Sequence, residues 1–332
     1  MYICLIYLVL ICISFLVIEI LSKKNSLFLN SFMSREHTKI LKGIAILCVF
    51  VSHVGNANNV RIVAPLGGVG VAIFLVCSGY GLNESSKKEF NKKTYWIKRI
   101  KTVVIPYAFT RLIMIPWSRE FSIKSLLLDV TCLQTQYVLG WYLTYLLFWY
   151  LIFFVLKILP KTIQKYEVEM LLLISVASFF FADSASQAQQ AFSFTTGVIM
   201  SKVGEEKREK ISSRAWFIAI GTFVIGCIAF AIKQMIYIEE ISYTMWLIKM
   251  LYRYMWAIAI IMLSWNVGKR FTLRMFAYIG MISYEIYLIH GYCLGIMSDA
   301  KMVVPCIIIT VISSFGLYCL FNIKKLRGEK NV

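Results

Sequence analysis

The chain has 332 residues, of which 59% are hydrophobic and 16% charged, and its mean hydropathy is +0.73. A water-soluble globule of that size needs more polar surface than this composition supplies, so a soluble enzyme is excluded and a membrane protein is expected. Lys and Arg number 35 against 17 Asp and Glu; in so apolar a chain the excess belongs to cytoplasmic loops, where positive residues are retained during insertion, and not to nucleic-acid binding.

In chain order, apolar runs lie at 2–21, 41–58, 66–83, 102–117, 138–159, 169–183, 188–201, 215–236, 244–265, 276–297 and 302–323. The first lacks the basic start and small-residue cleavage site of a signal peptide, and Glu19 interrupts its end, so it reads as a retained helix. Residues 1–34 are therefore expected to form an extra N-terminal transmembrane helix and a basic loop, and 35–332 one compact membrane domain. The expected fold is all-α, a polytopic transmembrane bundle of about 10–11 helices. The weakest pair is 169–183 with 188–201, because the second is short and holds Gln189, Gln190, Ser193, Thr195 and Thr196.

Loop charge fixes the expected topology. The loop 22–42 carries Lys23, Lys24, Arg35, Lys39 and Lys42 against Glu36; 84–101 carries seven basic residues against Glu84 and Glu89; 202–214 carries five against three acids; and 266–275 carries Lys269, Arg270 and Arg274 with no acid. All four are cytoplasmic by the positive-inside rule. The connections 59–65, 118–137, 184–187, 237–243 and 298–301 then fall outside, with the amino terminus out and the carboxyl terminus in. Nine Cys occur without a C-x-x-C pair, eight of them inside apolar runs (Cys4, Cys12, Cys48, Cys77, Cys227, Cys293, Cys306, Cys319), which reads as free thiols with no metal site and no disulfide frame.

Three features could carry chemistry. His53 and His290 sit in apolar context, and an ionisable group inside a membrane is a functional candidate unless it serves packing alone. Lys42 and His53 are separated by ten residues, nearly all apolar. Eleven helical steps of about 100° return to within roughly 20° of the same face, with the two groups about 16 Å apart along the axis. One helix face thus offers a cation at the cytoplasmic edge and an imidazole inside the bilayer, which suits a substrate with an anionic end in the cytosol and a reactive end in the membrane; the plain alternative is that Lys42 only marks the boundary. His37 reads as a residue of a cytoplasmic loop. In GGVGVAIFLVCSGYGL, Gly67, Gly68 and Gly70 permit close helix approach and Ser78 precedes Gly79; with neither a preceding strand nor a suitably placed Lys, it is not a phosphate loop. In MISYEIYLIHGY, Ser283, Tyr287 and His290 fall at i, i+4 and i+7, a polar stripe that should face the bundle interior, with Glu285 on the opposite face from His290. Arg111 is a further buried cation, for which Glu19, Asp183, Glu239, Glu240 and Glu285 are possible partners.

At these residues the chain resembles the integral-membrane acyltransferase 3 family of sugar O-acyltransferases. That family carries a basic residue, ten residues and a His on one helix, matched by Lys42 and His53, and an F-x-x-x-S-G-aromatic run on the next, matched by Phe74, Ser78, Gly79 and Tyr80. Arg99, Pro106 and Tyr107 match a basic, proline-containing helix entry; Gly140, Trp141 and Tyr142 a G-W-Y run; and Ser283, Tyr284, Tyr287, Leu288 and His290 the ending S-Y-x-x-Y-L-x-H. The resemblance spans about residues 35 to 323. Where the family more often has Arg, Lys42 keeps the charge but not the planar fork, and no soluble hydrolase-like domain is expected after the bundle.

The resemblance implies a multi-pass enzyme of the plasma membrane with no bound cofactor and no metal. It would move an acyl group from acyl-coenzyme A, with acetyl favoured by family habit, to a hydroxyl of a cell-surface or lipid-linked glycan. His53 is expected as general base, and Lys42 and Arg99 as contacts to the coenzyme A phosphates. Ser78, Tyr80, Arg111, Tyr287 and His290 are expected to contact the oxyanion or the acceptor. A flippase for an anionic lipid-linked saccharide, or a non-catalytic subunit of a glycan-assembly complex, would use the same polar faces without thioester chemistry.

Overall fold

The computed structural model describes residues 29–87, 90–114, 123–131, 139–236, 242–294 and 296–326. The expected first helix, 2–21, lies outside them. Among the described residues no strand occurs, and the longer helices in chain order are α1 (Arg35–Ala57), α2 (Pro65–Ser86), α3 (Lys92–Arg99), α4 (Ile105–Ile113), α5 (Ile123–Val130), α6 (Trp141–Ile158), α7 (Glu167–Phe180), α8 (Ser193–Lys202), α9 (Glu205–Ser213), α10 (Ala215–Met235), α11 (Tyr243–Gly268), α12 (Arg274–Met281), α13 (Ser283–Cys293) and α14 (Val303–Leu326). Among the described residues six segments are long and apolar enough to cross a bilayer: α1, Arg61–Ser86, α6, α10, α11 and Val303–Ile323. The all-α polytopic reading therefore holds.

The chain divides into two compact units, Met1–Lys88 with Pro160–Met281 and Glu89–Leu159 with Ile282–Val332. Neither unit is continuous in sequence.

In the first unit, helix starts follow local chemistry. Ser34 caps α1 by accepting the His37 amide at 3.2 Å, and Pro65 occupies the first turn of α2, where a missing N–H costs nothing. Glycine sets the crossings. A Cβ on Gly43 would collide with the Phe276 carbonyl, and one on Gly280 would collide with the Lys39 carbonyl and lie 3.0 Å from the Gly43 nitrogen, so α1 and α12 touch backbone to backbone. Gly79 and Gly197 do the same for α2 and α8, against the carbonyls of Phe194 and Val76. Such close approach is how helices gain packing energy where lipid offers no hydrophobic drive. Burial is graded: α1 and the Arg61–Ser86 span are 56% and 61% covered by protein over their most apolar windows, against 22% for α10, whose Trp216, Phe217, Phe223 and Ile228 are exposed as a lipid-facing surface requires.

In the second unit, five residues of π-helix, Ile100–Val104, precede α4; Pro106 has no N–H to give the Thr102 carbonyl, and the helical ladder slips there. Tyr284 of α13 donates to the Val103 carbonyl at 2.7 Å. An aromatic cluster of Tyr95, Trp96, Phe153 and Phe154 joins α3 to α6 with centroid separations of 5.4–6.4 Å.

Three expectations change. Among the described residues of the run 102–117, the π segment is followed by the nine-residue α4. The run 276–297 is two helices, α12 and α13, broken at Ile282. The connection 118–137 contains α5, whose Asp129 is buried. Among the described residues, Cys48, Cys77, Cys227, Cys293, Cys306 and Cys319 form no disulfide.

Candidate active site

In the first unit, Lys42 and His53 lie on the single uninterrupted helix α1 and both are half-buried. Continuity of α1 turns their spacing into the geometry expected of it, one face and about 16 Å of rise. Ser52, beside His53, is buried, donates to the Ala64 carbonyl at 2.8 Å, and lies where a Cβ on Gly67 would come within 2.7 Å of its Oγ. The Gly-rich start of α2 is thereby fixed next to the His53 turn.

Ser78 is half-buried and Tyr80 buried on α2. Tyr80 lies near the Ser86 end of that helix, with the Arg208 guanidinium 5.7 Å from its ring centroid. Glu84 joins this group: its Oε1 accepts from Lys87 at 2.6 Å, from Ser201 at 2.8 Å and from Arg208 at 3.4 Å. Tyr80 thus belongs to a charged network linking α2, α8 and α9, and Gly79 to a helix crossing.

His37 is not a loop residue. It sits in the first turn of α1, fully buried, with Phe32 and Trp265 rings 5.6 and 5.8 Å away. The Met33 amide donates to Nδ1 at 3.1 Å, so Nδ1 carries a lone pair; the proton is on Nε2, which reaches Ser264 Oγ at 3.0 Å. Ser264 passes its own proton to the Ile261 carbonyl at 3.0 Å. The imidazole is a structural tie between α1 and α11.

Arg253, which the sequence reading passes over, lies inside α11 and donates to Gln189 Oε1; Gln190 Nε2 donates to the Gly68 carbonyl at 2.9 Å.

In the second unit, Arg99 is half-buried at the end of α3. Its guanidinium stacks 4.0 Å from the Tyr95 ring centroid and donates to the Tyr95 carbonyl at 3.0 Å. Burial lowers its pKa from the usual arginine range, with the rings of Tyr95 and Tyr150 opposing that effect. Arg111 of α4 meets a carboxylate that the sequence reading did not propose: Nε bonds Asp129 Oδ2 at 2.5 Å, NH1 donates to Tyr292 Oη at 2.6 Å, and Tyr107 Oη donates to Asp129 Oδ1; of the expected partners, Glu19, Glu239 and Glu240 lie outside the described residues. Asp129 lies in LLLDV, a lone acid in an apolar stretch that could have flagged it.

Ser283, Tyr287 and His290 are all buried, as the stripe on α13 requires. Tyr287 Oη donates to the Leu139 carbonyl and its ring meets Tyr142 edge-on at 5.1 Å. His290 Nδ1 is 3.0 Å from the carbonyls of Ile286 and Tyr287, which only accept, so the proton is on Nδ1 and Nε2 holds the lone pair. Glu285 is buried too.

A family model described as an acyltransferase domain matches residues 39–323, nearly the whole chain. Neither the curated proteins nor the solved structures contain a match.

Proposed function

The chain belongs to that acyltransferase family, and from this membership we propose that it transfers an acyl group, acetyl first, from cytoplasmic acyl-coenzyme A to a hydroxyl of a cell-surface or lipid-linked glycan at the plasma membrane. The observation that carries the reading is the placement of Lys42 and His53 on one face of the unbroken, largely covered helix α1. The loop charges support an orientation in which Lys42 is at the cytoplasmic edge, with the amino terminus outside and the carboxyl terminus inside.

The reaction needs a base, a grip on the donor and an acceptor hydroxyl. His53, neutral, takes the hydroxyl proton as the oxygen attacks the thioester carbonyl; the C–O bond forms, the C–S bond breaks, and the imidazolium returns the proton to the departing thiolate. Lys42 holds donor phosphate as a point charge, with Arg99 assigned to the donor by the family pattern. Ser78, Tyr80, Arg111, Tyr287 and His290 are proposed contacts to oxyanion or acceptor. For Arg111 the ion pair with Asp129 makes this the weaker assignment, since a cation already neutralised has less to offer a ligand.

The test is thiol release from acetyl-coenzyme A by the purified full-length protein with a glycan acceptor. His53→Ala should lower the rate by about a hundred-fold to ten-thousand-fold. His53→Gln can keep a packing hydrogen bond but cannot take the proton; wild-type turnover in that variant would refute the base assignment. A flippase would move saccharide without consuming thioester.

A further inference from the structure

Arg111 and Arg253 differ in how their charge is met. Arg111 has a carboxylate at 2.5 Å. Arg253 lies ten residues into α11, about 15 Å from its start and so about half the depth of a bilayer core. Among the described residues it makes no ion pair. Its contacts are the neutral amide of Gln189 and the ring of Tyr252, 5.8 Å from the guanidinium carbon to the centroid, and its buried Nε has no hydrogen-bond partner.

The surroundings are built to hold this guanidinium in place. Gln189 and Gln190 are 4% and 1% exposed. Gln190 is itself fixed at both ends, donating to the Gly68 carbonyl at 2.9 Å and accepting from Ser193 Oγ at 3.0 Å. A Cβ on Gly68 would lie 2.5 Å from Arg253 Cδ, 2.7 Å from Nε and 3.0 Å from Cζ, so the end of the side chain packs directly over that glycine. A charged group at that depth without a counter-charge is costly and marks a ligand pathway more often than packing.

We propose that Arg253, oriented by Gln189 and Gly68, binds an oxyanion of the acceptor, so that the preferred acceptor is an anionic glycan. This deepens the glycan acyltransferase reading and rests on it. A planar guanidinium with unused donors suits a carboxylate or a phosphate oxyanion equally, and two sources carry one: a uronic-acid residue of the glycan, or the phosphate of a polyprenyl-linked saccharide.

The experiment measures binding, not turnover, with the full chain in nanodiscs. The probes are a uronic-acid oligosaccharide and its carboxyl-reduced analogue, and a polyprenyl-phosphate-linked saccharide and the same saccharide on an uncharged polyprenol. Wild type should bind one anionic probe about ten-fold to a hundred-fold more tightly than its neutral twin, and the pair that shows it identifies the source. Arg253→Gln should erase that preference and Arg253→Lys retain part of it. Should Arg253→Gln fold poorly, Gln189→Glu answers the same question by giving the guanidinium an internal carboxylate: it should raise thermal stability and lower affinity for the anionic probe. No preference in wild type, or a preference that survives Arg253→Gln or Gln189→Glu, overturns the proposal. Anion preference in a protein that releases no thiol from acetyl-coenzyme A would instead sink the acyltransferase reading and leave the site standing.

Discussion

Replacing Asp129 tests whether the Arg111 pair holds the second unit together. Asp129 is 1% exposed and accepts from both Arg111 and Tyr107, whose ring is also buried. Removing one partner of a buried ion pair typically costs about 3–5 kcal/mol because the other charge is stranded. Arg111 keeps the Tyr292 hydroxyl at 2.6 Å and its side chain is 14% exposed, which argues for the lower end, about 3 kcal/mol. At roughly 2–4 °C per kcal/mol, Asp129→Asn should melt about 6–12 °C below wild type. A thiol-reactive fluorophore in detergent reads the transition, since Cys306 of this unit is buried in the fold. The double variant Asp129→Leu with Arg111→Met should regain most of the loss, because an apolar pair of similar volume avoids the desolvation that the ions incur. If the two single losses simply add in the double variant, the pair does not couple and the reasoning is wrong.

His37→Ala should destabilise the protein by about 2–4 kcal/mol, since it removes two buried hydrogen bonds and strands the Met33 amide; His37→Gln should recover part of that in the same melting assay. Gly280→Leu should abolish folded protein on size-exclusion chromatography, because the side chain would have to displace the Lys39 backbone. Lys42→Ala should weaken acetyl-coenzyme A binding about ten-fold to a hundred-fold while Lys42→Arg stays near wild type, as measured by isothermal titration. Single Cys substitutions in 84–87 and 205–213 should resist a membrane-impermeant thiol reagent in intact cells, and strong labelling there would reverse the proposed orientation.

Composition and period alone determine that this is a helical membrane protein, because the apolar runs have the length of a bilayer crossing and cannot be dissolved otherwise. The spacing of Lys42 and His53 is equally local: both belong to one helix, whose geometry follows from 3.6 residues per turn. The burial of the Ser283, Tyr287 and His290 stripe follows from the same periodicity. Family membership was legible too, since the order of several short motifs survives without any knowledge of contacts. What only the tertiary structure decided is pairing across the chain. Asp129 meets Arg111 from 18 residues away, His37 meets Ser264 from 227, and Gln190 meets Gly68 from 122; no periodicity ranks such partners, because any polar residue on an inward face satisfies the pattern equally well. The roles of the glycines were hidden for the same reason. Gly79 and Gly68 look alike in one sequence run, yet one admits the backbone of another helix and the other admits a guanidinium, and that difference depends on which neighbour the fold brings to each.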